Sequence, residues 1–207
     1  NVLATGPLPE ITRGAAANRK VVFRRRLDKG YTLAPSGVAE LFIGPDAFRA
    51  LLKYMPQLRA DPLGQRYLLA APKGFPDAWG TPRGWTGEET SPFEVMRILN
   101  PKPNMRQLRK LVQNFTRMFP GLPPVQVKSA WAGMIDTMPD VVPIVDHAPI
   151  EGLSICTGMC GHGFGIGPAF GRIMADMMVG RDVGHDLTRF RLARFDSYAK
   201  LELGPDV

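Results

Sequence analysis

Cysteine and histidine are scarce in this chain of 207 residues, with two Cys and three His. Cys156 and Cys160 form a lone C-x3-C, which lacks the four-ligand set of a structural zinc site. By position they read as a buried strand thiol followed by a loop thiol. His147, His162 and His185 are too widely spread for a metal centre, so no metal is expected. Long apolar runs are missing too: Gly, Pro or charge interrupts each one before membrane-spanning length. No basic n-region and apolar h-region open the chain, so no secretory leader is read and a cytoplasmic location is expected. Asn1 stands where Met is usual, which points to a processed or trimmed chain. Blocks of five or six like charges are absent, although 26 Lys and Arg against 19 Asp and Glu leave a formal charge of +7. The densest cluster, Arg24-Arg25-Arg26, lies in a β-like stretch with no nucleic-acid motif beside it. A nucleic-acid-binding module therefore rests on charge alone, and a basic part of a larger molecule explains the same balance.

What is present is ordinary globular material, 44% hydrophobic and 22% charged, enough for one domain or two small ones. Residues 1–40 read as β-structure. Val21 to Arg26 and Tyr31 to Ala34 flank Asp28-Lys29-Gly30, which predicts a hairpin. Phe48, Leu51, Leu52 and Met55 repeat at helical spacing after Asp46, and Pro56 is expected to end that helix. Residues 56–104 are weakly periodic, and the Pro- and Gly-rich stretch Ala71 to Pro92, with Trp79 and Trp85, predicts a packed loop. The strongest helix runs from about Met105 to Phe119, on a stripe of Leu108, Leu111, Val112, Phe115, Met118 and Phe119. Asn104 caps it, Gln107 stands in capping-box position, and Pro120-Gly121 stops it. Val125, Val127, Ser129 and Trp131 alternate as a strand, with Trp131 assigned to the core.

The last organised unit carries most of the information. Leu153 to Thr157 predicts a buried strand, Gly158 to Gly167 a loop, and Pro168 the start of a helix ending at Gly180. Phe170, Ile173, Met174, Met177 and Met178 are expected on that helix's buried face. Five glycines occupy the ten loop positions. Glycine leaves no side chain between backbone and ligand, and a helix N-terminus directs unpaired N–H groups and partial positive charge at the loop. The loop is not the G-x-G-x-x-G dinucleotide fingerprint, and no Gly-Lys-Ser/Thr phosphate loop is present. A ligand cradle and a tight strand-to-helix connection both fit these residues.

Residues 129–195 resemble the C-terminal signature of the flavoenzyme family that includes D-amino-acid oxidase, D-amino-acid dehydrogenase, glycine oxidase and sarcosine oxidase. Trp131-Ala132-Gly133, then Thr137-Met138-Pro139-Asp140 and Pro143-Ile144-Val145, are similar to that family's W-x-G strand and T-P-D-x-x-P-I turn. Gly158-Met159-Cys160-Gly161-His162-Gly163-Phe164 is similar to its G-x-x-G-H-G-F loop. The helix ending at Gly180 and the later Phe190 to Phe195 resemble its closing segment. The arginine hairpin through Tyr31, and Ser91-Pro92-Phe93-Glu94, resemble a dehydrogenase-like subgroup.

The resemblance implies an α+β chain. Residues 1–128 are mainly a mixed-sheet substrate domain; residues 129–207 are a return segment, with a C-terminal tail, that completes a Rossmann-like FAD domain. It implies oxidation of the C–N bond of an amino acid or amine by hydride transfer to FAD. Gly158, Cys160, Gly161, His162, Gly163, Phe164 and Gly165 are the implied cofactor contacts. Tyr31, Arg25 and Asp136 are candidate substrate contacts, and no general base is assigned. FAD is expected to be noncovalent, because the strand lacks the attaching Cys of some sarcosine-oxidase-like relatives. Glycine-oxidase-like relatives place a carboxylate-binding Arg just after W-x-G, where Met134-Ile135-Asp136 stands here; simple D-amino acids are therefore expected to be poor substrates. The dinucleotide fingerprint of the family is absent, which implies a second polypeptide, or a precursor cut before Asn1, carrying the N-terminal FAD-binding half of a hetero-oligomer. A non-catalytic structural subunit of a multisubunit flavin dehydrogenase is the alternative.

Overall fold

The computed structural model of the protein describes residues 1–37, 39–62, 64–196 and 201–204. The chain divides into two compact units: Asn1–Asp46 with Leu63–Met134, and Ala47–Pro62 with Ile135–Val207.

The first unit holds strands β1 (Val2–Thr5), β2 (Ala15–Ala17), β3 (Val21–Arg25), β4 (Tyr31–Pro35), β5 (Ala39–Phe42), β6 (Gln65–Leu68) and β7 (Val127–Trp131). Five of them form an antiparallel sheet in the order β2-β3-β4-β1-β7, while β5 and β6 pair in parallel. The expected hairpin is β3 and β4. Lys29 takes a φ of 64° at its tip, and Asp28 Oδ1 accepts from the Gly30 amide at 3.1 Å. Lys128 donates to Asp28 at 2.9 Å and, with the Gly30 amide, holds that carboxyl down at about 2.

Period-two alternation sorts the sheet's side chains. Leu3, Val21, Phe23, Tyr31 and Leu33 pack against Leu108, Leu111 and Phe115 of helix α3 (Met105–Met118). The short helix α2 (Pro92–Val95) precedes it in this unit, whereas helix α1 (Pro45–Ala60) belongs from Ala47 on to the second unit. Asn104 caps α3 through the Arg106 and Gln107 amides. The box does not close: the Asn104 amide goes to Asn1 Oδ1 at 2.7 Å, and Gln107 Oε1 is buried without a partner. The Pro- and Gly-rich stretch is packed only in its first part, with Phe75 and Ala78 buried and Thr81 Oγ1 donating to Phe75 O at 2.7 Å; Trp79 and Trp85, which predicted the packing, are 56% and 44% exposed.

Three expectations need correction here. Helix α1 runs through Pro56 to Ala60, because losing one N–H does not stop a helix whose later turns remain bonded. Strand β6 lies in the weakly periodic region, and Gln65 to Leu68 does not alternate apolar with polar residues. Trp131 is 39% exposed rather than core; Ala130, its neighbour on the other face of β7, packs against the core instead.

The second unit contains β8 (Ile144–His147) and β9 (Ser154–Thr157), an antiparallel pair, and helix α4 (Gly163–Met178). Val145, Phe170 and Ile173 form its core, with Met174, Met177, Val183, Leu187 and Phe190 packed around them. Gly180, at φ 68°, closes α4; its amide bonds Met177 O and the Arg181 amide bonds Asp176 O, the double bond of a Schellman stop. β9 is half exposed rather than buried, because it pairs only with β8. Met178 is 69% exposed, off the buried face it was assigned to. The thiols are reversed as well: strand residue Cys156 is exposed and loop residue Cys160 is buried.

The fold is a mixed α/β chain dominated by antiparallel pairing. Among the described residues no helix is long and apolar enough to cross a membrane.

Candidate functional site

The glycine-rich segment folds differently from its expected form. Helix α4 begins at Gly163, not Pro168, so Gly163, Gly165 and Gly167 form its first turns. Pro168 falls in the second turn, where its missing N–H costs only the bond to Phe164 O. The true loop is short, Gly158 to His162. Gly158 (φ 70°), Cys160 (φ 50°) and Gly161 (φ 82°) all take left-handed backbone, and this reverses the chain between β9 and α4.

A network below the loop holds that shape. Asp136 Oδ2 accepts from the Gly158 amide at 2.8 Å and from Thr157 Oγ1 at 2.9 Å. The Cys160 amide bonds Asp136 O at 3.0 Å. The Cys160 thiol donates to Gly158 O at 2.9 Å and accepts from the Met138 amide at 3.3 Å. Burial pushes this thiol above its ordinary range. A Cβ on Gly158 would overlap Met138 Sδ, so that position is filled from below.

Above the loop the backbone is open. A Cβ on Gly165 or Gly167 would meet nothing within 4 Å. His162 sits at the N-cap without a side-chain bond, and its carbonyl accepts from the Gly165 and Ile166 amides. The amides of Gly161, Gly163 and Phe164 have no acceptor among the described residues. Three free N–H groups at the positive end of a 16-residue helix, with side-chain-free backbone beside them, suit an electron-rich planar group that carries negative charge. The Gly165 amide, implied to face the cofactor, is spent inside the helix. Phe164 is fully exposed at 102%.

The turn that carries Asp136 is fastened in its own way. Asp140 caps it by accepting from the Val142 amide at 3.2 Å. Arg194 grips the same carboxylate with two bonds of 2.7 and 3.1 Å, and its guanidinium also donates to Val142 O at 2.6 Å. Tyr54, from α1, donates to Thr137 O at 2.7 Å. Burial, then the nearby Asp136 charge, push its hydroxyl up to about 12.

Of the three candidate substrate contacts, Tyr31 and Arg25 stand in the first unit and Asp136 in the second. Tyr31 is 0% exposed in the first unit's core, and its hydroxyl accepts from the Ile11 amide at 2.7 Å and from Arg25 Nη1 at 3.0 Å. Arg25 also donates to Leu8 O at 3.2 Å. Burial can only grow when a partner surface is added, so Tyr31 is a core residue and Arg25 its brace. Asp136 is occupied with the loop. Arg24, next to one of those three candidates, is placed differently. It stands on the open face of the sheet, in the cross-strand row Ala15, Arg24, Thr32, Ala4 and Ser129. Arg26, on the same side, pairs with Asp28; Arg24 is exposed with no side-chain partner among the described residues. Trp131 shares the Ser129 face of β7. Period two already separated Arg24 from Arg25, and the acid two residues beyond Arg26 was the further clue. Among the described residues no cluster of His, Cys, Asp or Glu is suited to a metal ion.

Residues 1–177 match the family model described as DAO, FAD dependent oxidoreductase. N-methyl-L-tryptophan oxidase of Salmonella newport (strain SL254) is 44% identical over 61 residues, 29% of this chain and 16% of that protein. The solved L-amino acid deaminase from Proteus vulgaris superposes with a TM-score of 0.82 at 24% identity, over 94% of this chain and 45% of that one. The L-amino acid deaminase from Proteus myxofaciens, in complex with anthranilate, gives 0.82 at 26% identity, over 95% and 43%. The chain thus spans less than half the length of the structures it matches. With 177 of its residues inside the family model, the chain belongs to the DAO family of FAD-dependent oxidoreductases.

Proposed function

We propose that this chain carries the substrate face and the flavin loop of an amino-acid oxidase or deaminase, and works with an FAD-binding half that lies outside it. Bound FAD supplies two-electron chemistry, hydride transfer from the carbon beside nitrogen, which turns the C–N bond into an imine. The second unit, with the loop Gly158 to Phe164, belongs to the flavin side. The free amides of Gly161, Gly163 and Phe164 stabilise the negative charge that develops there, without reorganising during the reaction. Cys160, Asp136 and Gly158 hold those amides in place. No covalent attachment is read, since Cys160 is buried under the loop.

The first unit supplies the substrate face, and the observation that carries this reading is the free Arg24 guanidinium on a floor of Ala and Ser/Thr side chains. A planar fork with five donors suits a substrate carboxylate. Ile135 offers none, so Arg24 takes the role that the segment after Trp131-Ala132-Gly133 does not fill. The favoured substrate is an α-amino acid, N-substituted or L, in keeping with the names of the relatives; no general base is needed if the amine arrives neutral.

A companion half is supported by α4. Phe164, Pro168, Gly171, Ala175 and Met178 form one exposed, mostly small and apolar face, the kind of surface that marks an interaction site. Whether that half is a separate polypeptide or the other product of a cut precursor, it carries the G-x-G-x-x-G unit this chain lacks. The family match over residues 1–177 favours the enzyme reading over a purely structural subunit.

The test is a substrate panel on the assembled, flavin-loaded protein: L-amino acids, N-methyl amino acids, D-alanine, glycine and amines without a carboxylate. Arg24→Ala is expected to lower kcat/KM for carboxylate substrates by roughly thirty-fold to several-thousand-fold, equivalent to about 2–5 kcal/mol, and to leave simple amines unchanged. Equal activity in the variant, or D-alanine as the best substrate, contradicts the assignment.

A further inference from the structure

Helix α3 breaks two rules of helix electrostatics. Its first turn has no acid and instead carries Arg106, where the helix dipole disfavours a cation, with Arg109 and Lys110 in the next turn. Arg106 also stands three and four residues from the other two, the spacings at which like charges repel on a helix. None of this helps folding. Local rules broken without structural gain mark positions kept for another purpose.

The three cations open a longer strip. One depression on the surface is lined by Arg106, Arg109, Lys110, Gln113, Asn114 and Arg117. A second adjoins it through Asn114 and Arg117 and adds Asn18, Arg19 and Lys20. From Arg106 to Arg117 the helix rises about 16 Å, at about 1.5 Å per residue. No acidic residue lines either depression, and none of the six cations has an ion-pair partner among the described residues. Elsewhere bases do find acids: Arg13 with Glu10, Lys128 with Asp28, Arg83 with Asp46. The strip holds six positive charges in a chain whose formal net charge is +7.

We propose that this strip, the solvent face of α3 with the adjoining Asn18–Lys20 turn, docks an acidic helix of another protein. The spacing favours that occupant. Carboxylates three and four residues apart on a helix recur every 5–6 Å or so, the interval from Arg106 to Arg109 and Lys110, while neutral Gln113 and Asn114 fill the turn before Arg117. Gln113 and Asn114 add amide groups that bond carboxylates and backbone alike. No aromatic side chain lines the strip, so it offers no platform for stacked bases. The one large apolar side chain, Met118, is half-buried, so the strip has nothing to sink into a bilayer interface. A polar strip with matched charge gives fast, salt-sensitive association. The inference rests on the first unit alone and does not depend on the flavin assignment.

The probe is a fluorescent helical peptide with glutamate at every third or fourth position, titrated into the flavin-loaded protein. Phosphatidylglycerol vesicles and a short DNA duplex are measured in parallel. The peptide is expected to bind and to weaken on the order of tenfold between about 50 and 200 mM salt. The variant R106E/R109E/R117E should lose at least about another tenfold, while its melting temperature stays about level, because a glutamate at position 106 gains at the positive helix end what one at position 117 loses in the last turn. The neutral variant R106Q/R109Q/R117Q should fall between the two. Equal peptide binding by all three proteins overturns the proposal, and so does tighter binding to vesicles or duplex than to the peptide.

Discussion

Arg194 reaches 54 residues back along the chain to fasten Asp140, and side-chain exposures of 12% and 3% show how little water either group sees. A buried pair is weak evidence of net stabilisation, but breaking one is costly because the remaining charge is stranded. Arg194→Gln should therefore destabilise the folded protein by about 3–5 kcal/mol, read as a lowered urea midpoint with an unchanged slope. A loss below about 1 kcal/mol would place the pair among ordinary surface contacts. Nothing in the sequence announces this pairing, since neither residue is locally unusual and the contact is made only by folding. Arg24, by contrast, was legible. Alternation separates it from Arg25, and Asp28 accounts for Arg26. Tyr31 was misread because a tyrosine beside three arginines resembles a binding cluster in one dimension, whereas the strand turns it onto the buried face.

At the scale of elements, legibility follows periodicity. Helix α3 has a clean apolar stripe and a capping Asn104, and the β3–β4 hairpin has alternation on both sides of an Asp-Lys-Gly turn; both form where expected. β5 and β6 lack that signal because their partners lie across a helix in sequence. Proline was over-read twice. Pro168 does not open α4, because the glycines before it already hold helical backbone, and Pro56 does not close α1. The helix bears a cost at Pro56, a missing bond to the Leu52 carbonyl and a ring against the preceding turn. Pro56→Ala should stabilise the protein by roughly 1–3 kcal/mol, visible as a raised melting temperature. An unchanged or lowered value would show that the proline ring at this position is used by its surroundings.

For the molecule as a whole, the candidate site was legible in part. The order of strand, glycine turn and helix was read correctly, but the geometry differs: the helix starts earlier, Cys160 turns inward, and only some of the amides are free. The C-terminal half reading, the companion FAD-binding half and the roles of the two units remain the proposal that best joins a family match over residues 1–177 to a chain less than half as long as its structural neighbours. The central claim is that α4's first turns cradle the flavin, and Gly165 isolates it. Its Cβ position is open, and valine is a better helix former than glycine by a few tenths of a kcal/mol or so, so Gly165→Val should not harm folding. The deciding measurement is the flavin-to-protein ratio of the purified Gly165→Val protein beside its melting temperature without cofactor. The account predicts a several-fold loss of bound flavin with an unchanged or raised melting temperature; full flavin content in a normally folded variant would contradict it.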